Sequence, residues 1–341
     1  MNRFNDFKEV TLLSKAVILL FSLVLLLAVT TIVLYNNPGL FNSVTKGPSE
    51  RNEIDLTLWK APELSSISDN EEGKLIQYGH DLIARTSNFI GPLGTVSLKA
   101  NGMNCQNCHL EAGTKPFGNN FGSVASMYPK FRNRSGAVES IEKRVNDCFE
   151  RSLNGDAIDS LSKEMRAIVA YIKWVGKDVK RGELAEGSGL FKMKWLDRAA
   201  DKKVGRKLYL QQCQVCHGNT GEGQRLKEKG NYYYPPLSGD HSFTTAAGLF
   251  RISNFSRYIY ANMPHGITFK KPILSEEESW DIAAYVLSLP RPKKEFPNDW
   301  PKLKMKPVDH PFGPYADTFT EEQHKYGPFE PIEQFYKAEK K

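Results

Sequence analysis

Hydrophobic residues form one long unbroken run near the start of the chain. Ala16–Tyr35 contains 20 residues and no charge, and a helix rising ~1.5 Å per residue over that length crosses a hydrocarbon core of ~30 Å. A cleaved signal peptide is the alternative, but its apolar core is usually ~7–15 residues long and ends at an A-x-A site, which does not follow here. The pattern predicts a retained transmembrane helix over residues 16–35, after a short segment over 1–15.

Beyond this run, apolar residues recur at helical spacing in two stretches that resemble each other. Residues 36–68 carry Gly, Pro, Ser and mixed charge and predict a linker. Two helical domains are expected next, over 69–185 and 186–290. Each ends on a helix of related spelling, IVAYIKWV at Ile168–Val175 and IAAYVLSL at Ile282–Leu289. About 100 residues each is an ordinary domain size.

Smaller signals mark the ends of these helices. A Gly and a Tyr lie close together early in both domains, as Tyr78–Gly79 in the first and as Gly205 and Tyr209 in the second. Ser275 with Glu278 three positions later forms a capping-box pattern, which predicts where the last helix of the second domain begins.

The chain ends in a segment, residues 291–341, that is too rich in proline for long helices. Residues 290–341 hold nine of the 19 prolines. They also hold nine aromatic residues, too many for a disordered tail. We therefore expect this segment to wrap over the two domains.

Composition and charge narrow the class of protein. The 341 residues are 40% hydrophobic and 25% charged, as in ordinary globular proteins. The net charge is only +7, with no basic run of the kind that binds nucleic acid. Five cysteines are too few for a disulfide-dense scaffold, and the odd number leaves at least one without a Cys partner.

The sequence C-x-x-C-H occurs twice, as CQNCH at Cys105–His109 and as CQVCH at Cys213–His217. It is the attachment signature of c-type haem: two thiols form thioethers to the porphyrin and the adjacent His binds the iron. The residues expected to hold two haem c groups are Cys105, Cys108, His109, Cys213, Cys216 and His217. The alternatives for C-x-x-C are a thioredoxin-like redox pair, which expects a βαβ context, and a four-thiolate zinc site, which leaves both histidines unexplained.

These attachment sites define the expected architecture and topology. The fold should be mostly α, with two tandem cytochrome c-like haem domains behind the transmembrane helix and the Pro/aromatic-rich tail last. Haem c is attached on the extracytoplasmic side. The expected location is therefore the cytoplasmic membrane, crossed once, with the N-terminus inside and both haem domains in the periplasm.

The second haem has a candidate sixth ligand in Met263. It precedes Pro264, 46 residues after His217, in the kind of loop where cytochrome c domains place a thioether ligand, and His265 is its rival. Packing is the alternative role, because Met often fills gaps in cores. The upstream loop Tyr234–Gly239 should orient the proximal His through a carbonyl. His/Met ligation raises the reduction potential of a haem.

The first domain has no Met-Pro pair in the same interval, where Met127 is better explained as a core residue. The interval does contain the fifth cysteine, Cys148, among Arg134, Arg144 and Arg151. A free Cys is commonly a small buried hydrophobe. Here, however, the cations favour the thiolate, the form that binds iron or attacks sulfur. A thiolate ligand should lower the potential of the first haem relative to the second.

On these residues the chain resembles the dihaem thiosulfate dehydrogenases. The resemblance extends over roughly residues 70–335 and rests on the C-x-x-C-H sites and the PPLSG and NMP loops. It also rests on YPKFRNRSGAVESIEKRVNDCFERSLNG at Tyr128–Gly155, KPVDHPFGPYADTF at Lys306–Phe319 and QHKYGPF at Gln323–Phe329. It implies an enzyme that joins two thiosulfates into tetrathionate and releases two electrons, or runs the reverse reaction.

The resemblance also implies roles for individual residues. Cys148 would be the distal ligand of the catalytic haem, and Arg134, Arg144 and Ser152 would line the substrate site. Some family members carry a Lys beside the distal Met of the second haem and change ligand on reduction. Asn262 stands at that position here, which argues against such a change, and the predicted tether departs from the many soluble members.

Thiosulfate chemistry accounts for these residue types independently of the resemblance. Two dianions must be brought together, and guanidinium groups offset their repulsion and hold sulfonate oxygens through paired hydrogen bonds. One hypothesis makes Cys148 a carrier of the first sulfane sulfur, as in thiol–disulfide exchange; a weaker one makes it only a ligand that sets the potential. A membrane-tethered electron carrier and a different dihaem enzyme are the alternative functions. The expected acceptor is a cytochrome, a copper protein or a membrane oxidase.

Overall fold

The structure is a computed structural model, and it describes residues 3–36, 57–226 and 231–339. The chain divides into two units, Met1–Asn52 and Glu53–Lys341. In the first unit, helix α1 (Arg3–Asn36) contains a stretch, Leu13–Thr31, with a mean hydropathy of 2.4 and no side chain buried. Among the described residues it is the one helix with the length and composition of a membrane span or a signal sequence.

The second unit is mostly helical, as predicted. Its helices are α2 (Glu71–Ala84), α3 (Thr86–Ile90), α4 (Leu110–Gly113), α5 (Val124–Met127), α6 (Ile141–Arg151), α7 (Lys163–Val175), α8 (Lys202–Gln212), α9 (Gln214–His217), α10 (Ile252–Asn262), α11 (Glu276–Ser288), α12 (Glu321–Tyr326) and α13 (Glu330–Ala338). Short 3-10 turns lie at Leu64–Ser66, Cys105–Asn107, Gly248–Phe250 and Leu303–Met305. Two small antiparallel hairpins complete it: β1 (Lys130–Arg132) with β2 (Ala137–Glu139), and β3 (Gln224–Arg225) with β4 (Tyr232–Tyr234).

Helices α2 and α7 cross closely in the first domain because a glycine lies at the crossing. A Cβ on Gly79 would come within 2.0 Å of the Ala167 carbonyl oxygen. Around this contact α2 buries Leu82 and Ile83, and α7 buries Tyr171 completely. The apolar residues whose spacing predicted these helices therefore pack together in one hydrophobic core.

The second domain repeats this arrangement with α8 and α11. A Cβ on Gly205 would come within 1.8 Å of the Asp281 carbonyl oxygen, so the second Gly is also required by a close helix crossing. The predicted capping box is confirmed: Ser275 Oγ accepts from the Glu278 N–H at 3.1 Å, and the Glu278 carboxylate accepts from the Ser275 N–H at 2.8 Å.

The extension beyond α11 contacts both domains. Tyr326, Phe329 and Ile332 are buried in the core of the second domain. Asp309, fully buried, accepts from Arg251 Nε at 2.8 Å, which joins the extension to the start of α10. Residues 37–56 of the predicted linker lie outside the described residues. Within its later part, Trp59 packs against the core of the first domain.

Candidate functional site

The first attachment turn, Cys105–Asn107, is held by side chains at and near the start of α3. Asn104 accepts from the Ser87 N–H at 2.9 Å, and Thr86 Oγ1 accepts from the Cys105 N–H at 2.9 Å. His109 comes next, and its Nδ1 lies 2.6 Å from the Asn119 carbonyl oxygen. A carbonyl only accepts, so Nδ1 carries the proton and Nε2 is left as the ligand nitrogen.

The second attachment turn is α9, and its histidine is also oriented by a hydrogen bond to a backbone carbonyl. His217 Nδ1 lies 2.9 Å from the Pro235 carbonyl oxygen, so the loop expected to orient this His does so. Burial lowers the pKa of His217, although the hydrogen bond to Pro235 opposes the shift. A neutral imidazole with Nε2 unprotonated is the form that binds a metal.

The cysteines at both turns fit haem attachment. All five are free thiols. Within the described ranges, no three His, Cys, Asp or Glu side chains cluster in a way that could hold a metal ion, so the two Cys pairs do not converge on a zinc site.

Cys148 lies on α6, one helical turn after Arg144. Arg144 Nη1 donates to Cys148 Sγ at 3.1 Å. Burial raises the pKa of the thiol, but Arg144 and His109 together outweigh burial and bring the pKa down to about 7. The thiolate in turn raises the pKa of Arg144. His109 therefore lies close enough to Cys148 to favour the thiolate, and a pKa of about 7 makes this nucleophilic form available near neutral pH.

Arg151 has a different role from the one that its position in the sequence suggested. Its guanidinium donates from Nη1 and Nη2 to the two oxygens of Asp299, at 2.7 and 2.8 Å, and its Nε lies 3.4 Å from Asp147. The ring of Phe296 lies 3.6 Å from the guanidinium. Arg151 is thus a buried anchor for the extension rather than an available cation.

Arg134 lies in the turn between β1 and β2 and points toward the extension. Its Nε is 4.0 Å from Asp299, and its guanidinium lies 5.5 Å from the ring of Trp300. The backbone N–H of Trp300 donates to the Arg134 carbonyl at 2.6 Å. Burial, followed by repulsion from Arg151, lowers the pKa of Arg134 to about 10, so it is still charged at neutral pH. Its guanidinium makes no hydrogen bond in the described part of the chain.

Ser152 ends α6 directly beside the cysteine. Its backbone N–H donates to the Cys148 carbonyl at 2.9 Å, as does the N–H of Leu153. Its half-buried hydroxyl has no hydrogen bond within residues 57–226 or 231–339. The structure therefore brings Arg144 and Ser152 to Cys148 on one helix, and Arg134 beside them from the hairpin.

The two candidates for the distal position of the second haem differ in burial. Met263 is half-buried at the end of α10 and packs against the core of the second domain, whereas His265 is exposed. The neighbouring Asn262 is buried, and its amide donates to the Phe117 carbonyl at 3.0 Å. Met263 therefore fits the position better than His265.

Asp299 and Trp300 were not predicted from the sequence as site residues. They lie 148 or more positions after Arg151, in a segment without regular helices. Their only signal was the unusual density of aromatic and proline residues in the tail.

Comparisons with known proteins identify the family of this chain. The SoxA/TsdA cytochrome c domain family matches residues 97–180, and the cytochrome c family matches residues 203–290. A thiosulfate dehydrogenase of Psychrobacter arcticus is 38% identical over 248 residues, covering 71% of this chain and 71% of the relative. The chain belongs to the thiosulfate dehydrogenase family. The family member of Allochromatium vinosum is 34% identical over 239 residues, covering 68% of this chain and 83% of its own length.

The fold of the present chain also occurs in a solved structure. The thiosulfate dehydrogenase TsdBA of Marichromatium purpuratum superimposes with a TM-score of 0.65 at 23% identity. The match covers 80% of this chain and 54% of that one, so this chain spans about half the length of the solved protein. Each of the two matched family ranges contains one C-x-x-C-H site, which confirms the prediction of two haem c domains.

Proposed function

We propose that this protein oxidises two thiosulfates to tetrathionate, with the chemistry at Cys148 and the electrons leaving through two haem c groups. The observation that carries the proposal is the contact of 3.1 Å between Arg144 and a half-buried cysteine that faces His109. An electron carrier needs only buried, closed ligands. A thiolate stabilised by a cation is instead suited to nucleophilic chemistry on sulfur.

The residues around Cys148 divide the work of binding a dianion. Arg144 holds the thiolate and offers its remaining N–H groups to a sulfonate. Arg134, without a hydrogen bond of its own among the described residues, supplies a second guanidinium, and the Ser152 hydroxyl supplies a further donor. Asp299 prevents Arg151 from competing, because it binds that guanidinium bidentately.

The covalent mechanism has two steps at Cys148. The Cys148 thiolate and the terminal sulfur of the first thiosulfate form an S–S bond, and two electrons leave. The terminal sulfur of the second thiosulfate then attacks the sulfane sulfur of this adduct. Tetrathionate forms, and the Cys148 thiolate is the leaving group. No proton is consumed in either step, provided that Cys148 begins as the thiolate.

Helix α10 provides a short connection between the two haem sites. Near its middle, the Tyr258 hydroxyl donates to the Asn107 carbonyl of the first attachment turn at 2.7 Å. At its end lies Met263, five residues on, or roughly 7–8 Å along the axis. His109 with Cys148 and His217 with Met263 would hold the two irons, and haem supplies one-electron acceptance and transfer when bound. Met263 as the higher-potential ligand favours electron flow out of the catalytic site.

The helix α1 would anchor the enzyme in the cytoplasmic membrane, with the N-terminus inside and the haem domains in the periplasm. Its uncharged stretch is long enough to span the bilayer. Electrons would then leave close to the membrane. The acceptor would be a cytochrome, a copper protein or a membrane oxidase.

The test is thiosulfate-dependent reduction of ferricyanide by the full-length, haem-loaded protein in detergent, with tetrathionate measured as the product. We expect tetrathionate from the wild type and none from Cys148→Gly. Activity in both proteins would remove Cys148 from the chemistry. Inactivity of the wild type in both directions, with both haems intact, would favour the membrane-tethered electron carrier.

A further inference from the structure

A large cavity lies between the hairpin of the first domain and the extension. It has a volume of about 1010 Å³. Its wall includes Arg134 on one side and Trp300, Lys306 and the segment Lys293–Pro301 on the other, and none of the haem-attaching cysteines or histidines lines it. Arg134 Nε lies 4.0 Å from Asp299, and Asp299 binds Arg151, three residues after Cys148 on α6, so the cavity adjoins the helix that carries Cys148.

The cavity is strongly positive. Five basic side chains line it, against two acidic ones, Glu295 and Asp299. Lys306 is buried, and its ammonium donates to the carbonyls of Phe312 at 2.6 Å and Pro314 at 3.1 Å. Lys294 is likewise held by carbonyls, those of Glu150 and Gly155. Carbonyls satisfy hydrogen bonds without neutralising charge, so both cations retain their attraction for an anion.

Trp300 adds an unused donor to the same wall. Its indole Nε1 is buried and has no hydrogen-bond partner in the described part of the chain. Its φ of +62° is unusual for a bulky residue and is held by the bond from its N–H to the Arg134 carbonyl. The indole N–H groups of Trp59 and Trp280 are also buried without an acceptor, but of these three residues only Trp300 lines the cavity, where an anion could accept its hydrogen bond.

The reaction requires a second anion site. Two thiosulfates react at one sulfur of Cys148, and the second dianion must approach the first against electrostatic repulsion. We propose that the extension forms this second thiosulfate subsite, in which the Trp300 indole N–H and Lys306 bind the sulfonate of the attacking thiosulfate, and Arg134 would serve both sulfonates. The same groups would bind the distal sulfonate of tetrathionate in the reverse reaction. This inference rests on the proposed function and assigns the extension a part in substrate binding.

Trp300→Phe tests the subsite because it keeps the ring and removes only the N–H. We expect the KM for thiosulfate and for tetrathionate to rise about tenfold, the loss typical of one hydrogen bond to a charged group, with kcat near the wild-type value. Trp174→Phe, which makes the same change on α7, should leave both KM values unchanged. Unchanged kinetics in Trp300→Phe, in a wild type that makes tetrathionate, would overturn the subsite while leaving the proposed function intact.

Lys306→Gln provides an independent test, with the exposed Lys302→Gln on the same segment as its control. Haem propionate carboxylates offer the same chemistry as a sulfonate, so the midpoint potentials of both haems are titrated in each variant. A raised KM in Lys306→Gln with unchanged potentials supports the subsite. A shifted potential with an unchanged KM would assign these cations to a haem carboxylate and overturn the proposal. A wild type that makes no tetrathionate would instead refute the proposed function itself.

Discussion

The two haem domains share one framework and differ in a single interval. Each crosses two helices at a glycine, Gly79 or Gly205, and each fixes its proximal His by a bond from Nδ1 to a carbonyl. Between attachment turn and closing helix, the first domain offers Cys148 beside a guanidinium, whereas the second offers Met263 against an apolar core. In the proposed function, the framework would hold each haem in place, and the interval would decide whether that haem takes part in chemistry or only passes electrons.

Making the first domain resemble the second should have the largest effect. Cys148→Met would replace a nucleophilic thiolate with an inert thioether, and we expect the rate of tetrathionate formation to fall at least about a thousandfold. Adding Met263→Cys to this variant should not restore activity, because Arg144, which donates to the sulfur of residue 148, would not be its partner. The assay is ferricyanide reduction with product analysis. Near-normal turnover by Cys148→Met would refute the covalent mechanism and leave Cys148 only as a ligand.

Removing Arg144, the cation that distinguishes the interval of the first domain from that of the second, should have the next largest effect. Arg144→Gln would lose a charged hydrogen bond to the thiolate and a sulfonate-binding group, and kcat/KM for thiosulfate should fall about a hundredfold. The exposed Arg206→Gln on α8 serves as the matched change in the second domain and should have no effect. Equal kinetics for the two variants would mean that Arg144 does not act on the substrate.

Two carboxylates of the extension join it to the two domains. Asp299 binds Arg151 of the first domain, and Asp309 binds Arg251 of the second. Asp309→Asn would leave Arg251 without its partner and should lower the free energy of unfolding by about 3 kcal/mol at neutral pH. Burial raises the pKa of Asp309. Arg251 and Ser253 lower this pKa by more than burial raises it, so it lies below its ordinary value. The stabilisation is therefore present above the unfolded-state pKa of ~3.9 and is lost as the pH falls through the lower folded-state pKa.

Denaturant unfolding at several pH values checks this expectation. The difference between wild type and Asp309→Asn should shrink as the pH falls below about 4. Asp178→Asn, on an exposed pair with Lys177, should change stability little at any pH. A difference that stays constant on acidification would show that the carboxylate charge does not stabilise this contact.

The smallest expected effect concerns Ser152. Ser152→Ala removes one neutral donor from the substrate site and leaves the backbone cap of α6 unchanged, so the KM for thiosulfate should rise about fivefold. The exposed Ser160→Ala is the control. An unchanged KM would confine Ser152 to its role in ending the helix.

Local patterns predicted the parts of this molecule that depend on near neighbours in sequence. The two C-x-x-C-H turns, the capping box at Ser275 and the carbonyl of the loop at Pro235 all act within a few residues or one short loop. Arg151 shows where such reasoning fails. Its position among basic residues near Cys148 suggested a cation that favours the thiolate, but its partner, Asp299, lies 148 positions away. The cationic wall near Lys306 was missed for the same reason, because an irregular segment carries no periodicity that reveals what it contacts.

The contact between Arg151 and Asp299 also has a consequence for biogenesis. Synthesis runs from the N-terminus, so both haem-binding motifs leave the ribosome before Asp299, the residue that binds Arg151. A chain interrupted after α11 would carry both attachment sites but not the segment that anchors Arg151. Arg151 therefore gains its carboxylate partner only when the last 50 or so residues have been made.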